Sequence, residues 1–253
     1  MRKYGIIAII CTSTLLVQCS SNKNSVVTGP FDVVKPAVAS NAETDSAINN
    51  TGDSAVSSDR VIEGGNNNNS SENRYAEYIG TLGTTKASLD EIVVLGDSRV
   101  AGLVVNGYLS SERVIYSNEA DSVWAKENIK TIKELNPKVV FVNIGLVDCL
   151  NVSKSKFKSN YKKLLTSLQA ELPNTTIVSL TIPNVSTDAV SGTSKYKNIE
   201  SFNDLIISLA KSKKTGPVEL HKILGAGSLA SDGVSFHSSG YAIYSDLIKT
   251  IIK

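Results

Sequence analysis

Apolar positions are spread unevenly along this chain. From position 20 to about 73 they follow no period, and Ser, Asn, Asp, Thr and Gly dominate around the run Gly64-Gly65-Asn66-Asn67-Asn68-Asn69-Ser70-Ser71. Such a segment buries too little apolar surface to offset the entropy of ordering it, which predicts a flexible spacer. Past Tyr75, short β-branched runs alternate with stretches of helical spacing. The runs predict strands at 91–95, 113–116, 138–144, 175–180 and 217–220, and the periodic stretches predict helices at 122–135, 153–172, 199–209 and 241–252. In the first of these helices Trp124, Ile129, Ile132 and Leu135 share the face that would meet a core, and Asn136-Pro137 stops it. Alternation sustained over roughly 180 residues predicts one α/β domain, a three-layer α/β/α sandwich on a mainly parallel five-stranded sheet.

The N-terminus has a different pattern. Met1-Arg2-Lys3 is a short positive leader, and residues 6–17 are apolar apart from small polar interruptions. That stretch is short for a mature membrane span but fits the apolar region of an export signal. It runs into Leu16-Val17-Gln18-Cys19, which resembles the lipobox of bacterial lipoproteins, although Gln18 stands where Gly, Ala or Ser is usual. The expected organisation is a signal peptide at 1–18, a lipidated Cys19 with its linker over 19–74, and a folded domain over 75–253. The expected location is the extracellular face of the cell membrane, with the membrane as a partner through Cys19.

Cysteine and charge narrow the function classes. Cys11 lies in the leader and Cys19 is the proposed anchor, so Cys149 has no partner for an internal disulfide and reads as a small packing residue. The formal charge is +2, and without Arg2 and Lys3 the chain holds 24 basic and 24 acidic residues. That balance argues against nucleic-acid binding through a broad basic surface. No glycine-rich dinucleotide turn or cluster of metal ligands is evident, so no cofactor and no metal is expected.

In an open α/β sheet, ligands bind beyond the carboxyl ends of the strands. Three segments fall there. Gly96-Asp97-Ser98-Arg99 follows the first strand and precedes a short helix, a setting that places a serine hydroxyl at the positive end of the helix. Asp97 and Ser98 are equally ordinary helix N-caps, and Arg99 reads either as a contact for an anionic substrate or as a solvent-facing residue. Asn143-Ile144-Gly145-Leu146-Val147-Asp148 follows the strongest strand. Asp232-Gly233-Val234-Ser235-Phe236-His237-Ser238-Ser239-Gly240-Tyr241 precedes the last helix and brings an Asp and a His close together, the residue types that activate a serine nucleophile. His221, the other histidine, reads as structural.

These three segments, in this order, resemble the SGNH/GDSL hydrolase superfamily over about 91–252, and look closest to a secreted Gram-positive branch carrying Gly-Asp-Ser-Arg. The stretch Asn198-Ile199-Glu200-Ser201-Phe202-Asn203 also looks like a segment of that branch. The resemblance implies a flavodoxin-like fold, with Ser98 as nucleophile, Asp232 as orienting acid and His237 as base. It implies an oxyanion and substrate site made by the Ser98 N–H, Ala120 and Gly145. It also implies an acylated polymer or small ester as substrate, cleaved through an acyl-enzyme. Two positions depart from the family. Its third block is Gly-x-Asn-Asp, and here Val147 replaces the Asn whose side chain donates to the oxyanion; losing one such donor costs about 10²–10³ in turnover. Asn184, after the next strand, is a candidate substitute donor. The family's last block is Asp-x-x-His, which would put the base at Ser235, so His237 is displaced by two positions. The sequence thus supports an extracellular ester hydrolase acting on cell-wall or glycan O-acyl groups. The alternative it leaves open is a catalytically degenerate lipoprotein that binds glycans or acts as a scaffold.

Overall fold

A computed structural model describes residues 75–79, 82 and 85–253. The signal peptide, Cys19 and the 19–74 linker lie outside the described residues. Five strands, β1 (Ile92–Gly96), β2 (Val114–Tyr116), β3 (Val139–Asn143), β4 (Thr176–Leu180) and β5 (Gly216–Val218), form a sheet in the order β2-β1-β3-β4-β5. Every pairing is parallel. The α/β/α sandwich and five-stranded sheet are as the sequence predicts, and the sheet is wholly parallel rather than mainly so.

β1 and β3 read as unbroken apolar runs because both of their faces are covered, and every residue in them is buried. Val93, Leu95, Val140 and Val142 point into one core, shared with the helices α3 (Ser122–Glu127), α4 (Ile129–Glu134), α6 (Lys154–Glu171) and α8 (Ile199–Lys213). Ile92, Val94, Val139 and Phe141 point into the other, against α2 (Gly102–Val105) and α10 (Ser238–Ile251). Shorter helices α1 (Ala76–Ile79), α5 (Leu146–Asn151), α7 (Thr187–Gly192) and α9 (Leu220–Ile223) lie in the connections. Pro217 sits in β5, an edge strand, where its missing N–H breaks no interior ladder.

Three boundaries differ from the pattern in ways that matter. The single helix expected at 122–135 is two, split at Asn128, whose amide donates to the Trp124 carbonyl at 2.9 Å and competes with the helix ladder there. Trp124 and Leu135 are consequently only partly covered, while Ile129 and Ile132 are buried. α5 occupies a stretch for which the pattern predicts no helix. The last helix begins at Ser238, three residues before the apolar pattern starts, and makes His237 its N-cap residue.

The candidate active site

The sheet order reverses between β1 and β3: the chain leaves β1 for β2 on one side and returns to β3 on the other. The two strands end side by side, Gly96 opposite Asn143, and the candidate segments begin there.

At the end of β1 the backbone turns sharply. A side chain at Gly96 would place its Cβ 2.5 Å from Val100 Cγ1 and 3.1 Å from the Asn143 carbonyl oxygen, so only glycine fits. Asp97 is the N-cap, its Oδ1 accepting the Arg99 N–H at 3.0 Å. Ser98 opens the helical turn as an exposed residue flanked by buried ones, and its hydroxyl has no hydrogen-bond partner among the described residues.

Arg99 differs from both sequence readings. It is only 3% exposed, and its guanidinium forks onto the Asp97 carboxylate through Nε at 3.1 Å and Nη2 at 3.0 Å. Nη1 donates to the Pro183 carbonyl at 3.3 Å, and the guanidinium lies 5.9 Å from the centroid of the Phe236 ring. Arg99 therefore does not face solvent, and each of its guanidinium nitrogens is bonded within the fold; it ties the β1 turn to the β4 loop and to the segment before α10. Sequence reasoning missed this role, and the adjacency of Asp97 was the one signal that could have suggested it.

The acid and the base do not come together. Asp232 is exposed, and its Oδ1 accepts the N–H groups of Val234 at 2.9 Å and Ser235 at 2.8 Å, closing its own turn. The Ser235 side chain, with the Val234 N–H next, holds its carboxyl below the usual carboxylate value. The His237 ring is engaged at both nitrogens: Nε2 lies 2.6 Å from the Gly227 carbonyl oxygen and Nδ1 lies 2.7 Å from Ser239 Oγ. A carbonyl oxygen only accepts, so Nε2 carries the proton and the Ser239 hydroxyl donates to Nδ1. Neither nitrogen is hydrogen-bonded to Ser98 or to Asp232. The relay expected from Ser98, Asp232 and His237 is not assembled. The cause is local: the hairpin bridge Leu229↔Phe236 and the Gly227 carbonyl capture the ring at the start of α10.

The expected oxyanion groups fare unevenly. Ala120 is fully buried and its N–H donates to the Ser117 carbonyl at 3.2 Å, which commits the donor to a turn. Gly145 adopts φ +140°, a conformation that favours glycine, and a Cβ there would lie 2.9 Å from Ile182 Cδ1. Its carbonyl accepts the Cys149 N–H at 2.8 Å and starts α5. Val147, in the first turn of α5, brings no polar group, and Asn184 is exposed on the β4 loop. His221 is structural: its N–H donates to Thr181 Oγ1 at 3.1 Å, and that hydroxyl lies 2.8 Å from Nδ1, with burial pushing the imidazole below its usual value. Cys149 is a buried free thiol, pushed up to about 11 by burial and donating to the Lys195 carbonyl at 3.4 Å.

Two buried polar groups add to the site's frame. Asn143 donates from Nδ2 to the Thr181 carbonyl at 3.3 Å, while its Oδ1 is buried without a partner. Asp148 has no exposed surface and accepts the Ser122 hydroxyl at 2.6 Å and the Ser122 N–H at 2.9 Å, joining α5 to α3.

No family model matches the chain, and no curated protein is similar to it at a significant level. Solved structures are similar. A GDSL-like lipase from Bacteroides thetaiotaomicron aligns at 18% identity with a TM-score of 0.55, covering 72% of this chain and 96% of its own. The lipase/acylhydrolase from Enterococcus faecalis aligns at 17% identity and 0.51, over 62% of this chain and 93% of its own. An acetyl-xylooligosaccharide esterase from Geobacillus, as a tryptophan variant, aligns at 14% identity and 0.50, over 68% and 96%. With the strand order, the wholly parallel sheet and the position of the Ser98 turn, these likenesses show that the domain has the flavodoxin-like α/β/α fold of the GDSL lipases and acylhydrolases.

Proposed function

We propose that this chain is an exported, lipid-anchored SGNH-fold protein that holds acylated glycan or small ester ligands at the Ser98 turn without cleaving them through a serine–histidine–aspartate relay. One observation carries the reading: both ring nitrogens of His237 are used by Gly227 and Ser239 while the Asp232 carboxylate is used by its own turn. Val147 points the same way, because a scaffold that need not stabilise an oxyanion can dispense with that donor. An exposed Ser98 at the switch point supports ligand contact, and acylated sugars are the class named for the acetyl-xylooligosaccharide esterase that shares the fold. In this proposal Cys19 anchors the chain and 19–74 gives the domain reach from the membrane.

The second reading is hydrolysis of O-acyl groups on cell-wall or glycan polymers. It is favoured by the free, exposed hydroxyl of Ser98 at a helical N-terminus. It requires the His237 ring to leave Gly227 and Ser239, turn to Ser98 and gain Asp232 as its orienting partner.

The two readings separate in one experiment. The full chain and its Ser98→Ala variant are assayed on 4-nitrophenyl acetate and acetylated xylooligosaccharides, with calorimetric titration of acetylated and deacetylated oligosaccharide. The expected result is equal background turnover in both proteins and preferential binding of the acetylated sugar. Turnover by the wild type that falls at least about 10³-fold on Ser98→Ala would establish the hydrolase instead.

A further inference from the structure

The helical layer formed by α3, α4 and α6 carries charge that the chain as a whole lacks. Nine lysines fall between residues 122 and 171 against four acids, Glu127, Glu134, Asp148 and Glu171, in a chain whose formal total is +2. Asp148 is buried on Ser122 and shows no charge to the outside. Two concavities of about 800 and 420 Å³ lie along the outer surface between these helices and share Lys126 and Ser167, so together they form one groove.

Five lysines, Lys126, Lys130, Lys133, Lys162 and Lys163, line the groove against three carboxylates, Glu127, Glu134 and Glu171. Ser159, Lys162, Lys163 and Thr166 make one outward stripe of α6, opposite the buried Phe157, Tyr161, Leu164, Leu165 and Leu168. Lys126 and Lys130 face them from α3 and α4. Of the groove's lysines only Lys133 is ion-paired, to Glu171 at 2.8 Å; Lys126, Lys130, Lys162 and Lys163 make no salt bridge among the described residues. The fold does not need them there, because the packing of α6 is on its other face. With Glu171 taken up by Lys133, the four remaining lysines outnumber Glu127 and Glu134, so the concavity keeps a net positive charge that raises the local concentration of anions.

The lining also selects among anions. It contains no aromatic side chain on which a nucleobase could stack, which disfavours single-stranded nucleic acid. It is concave, and neither Val105 nor Val123, the two large exposed apolar residues among the described residues, lines it, so a planar bilayer has no apolar foothold there. Lysine binds phosphate or carboxylate as a point charge, without demanding planar geometry. We propose that this groove is a second binding site, separate from the Ser98 turn, for a linear polyanion whose phosphate or carboxylate groups are carried on a flexible, ring-unstacked backbone.

The test uses the full chain with three probes: long-chain polyphosphate, polygalacturonate, and phosphatidylglycerol vesicles, each at low salt and again at several-fold higher salt. Lys126→Gln/Lys130→Gln/Lys162→Gln/Lys163→Gln removes four charges from the groove with residues of similar helix propensity. Lys86→Gln/Lys197→Gln/Lys211→Gln/Lys249→Gln removes four exposed charges elsewhere. The expected result is salt-sensitive binding of a soluble polyanion that weakens at least about tenfold in the groove variant and less than about threefold in the control. Whichever of polyphosphate and polygalacturonate binds more tightly assigns the charged group. Equal loss in both variants, no binding of either soluble polymer, or binding to vesicles alone overturns the proposal.

Discussion

Asp148 offers a direct measurement of how the two helices bordering the site are joined. Its carboxylate, without exposed surface, accepts both the hydroxyl and the N–H of Ser122. Burial nevertheless wins over those two hydrogen bonds, with Asp121 adding like-charge repulsion, and pushes the carboxyl up from 3.8 to about 6. A folded-state value above the unfolded one means the native protein binds the proton more tightly. The associated stability is therefore fully present below about pH 4 and is lost as pH rises through about 6. The gap corresponds to at most about 3 kcal/mol. Asp148→Asn keeps one acceptor for Ser122 and removes the titration. Urea unfolding of both proteins at pH 4, 5, 6 and 7 gives the difference in stability, from which the other titrating groups cancel. The wild type should lose ground to the variant as pH rises, by at most about 3 kcal/mol, with most of the change between pH 4 and 6. A difference that stays constant, or that moves in favour of the wild type with rising pH, would refute the argument that burial outweighs the Ser122 bonds.

Two further outcomes follow from the site. Ser235→His with Val147→Asn restores the Asp-x-x-His spacing and the missing donor; Ser98-dependent hydrolysis of an aryl acetate should appear, rising by at least about 10²-fold over the parent, and an unchanged rate would show that these positions do not limit the site. Arg99→Met leaves the Asp97 carboxylate buried without its guanidinium, so chemical denaturation should show a loss of about 3–5 kcal/mol, with part recovered by Asp97→Asn/Arg99→Met; a loss under about 1 kcal/mol would contradict a buried structural pair.

How far the sequence could be read depended on whether a feature was local. β1 and β3 were legible because burial on both faces demands a continuous apolar run, and the stop after α4 was legible because Asn136 takes the left-handed conformation at φ 46° before Pro137. The Ser98 turn was legible for a similar reason: Gly96, a cap and a helix start are contiguous. The start of α10 was not, because Ser238-Ser239-Gly240 offers no apolar period, and the error passed directly to His237. Whether that imidazole serves as base or cap depends on a carbonyl ten residues earlier, at Gly227, and nothing in the intervening sequence announces the contact. Arg99 was misread because burial of a guanidinium depends on partners at Pro183 and Phe236, far along the chain.

The same contacts explain why a Gly-Asp-Ser-Arg block does not by itself imply hydrolysis. Gly96 is required by the approach of Val100, Asp97 caps the helical turn, and Arg99 neutralises Asp97 while fastening the turn to the β4 loop and the segment before α10. Three of the four residues thus have roles in the fold that do not depend on an acyl-enzyme, and these roles alone hold Ser98 exposed at the switch point. What separates a hydrolase from a ligand-holding scaffold is therefore carried by other segments: the α5 start at Val147 and the hairpin from Leu229 to His237. At the α5 start the donor is missing, and in the hairpin the polar groups are spent on local structure, Asp232 on its own loop and His237 on Gly227 and Ser239; the Ala120 N–H, after β2, is likewise spent on its turn. Substituting those segments while leaving the Ser98 turn untouched is for that reason the informative experiment, since changes within the block would disturb folding and chemistry together.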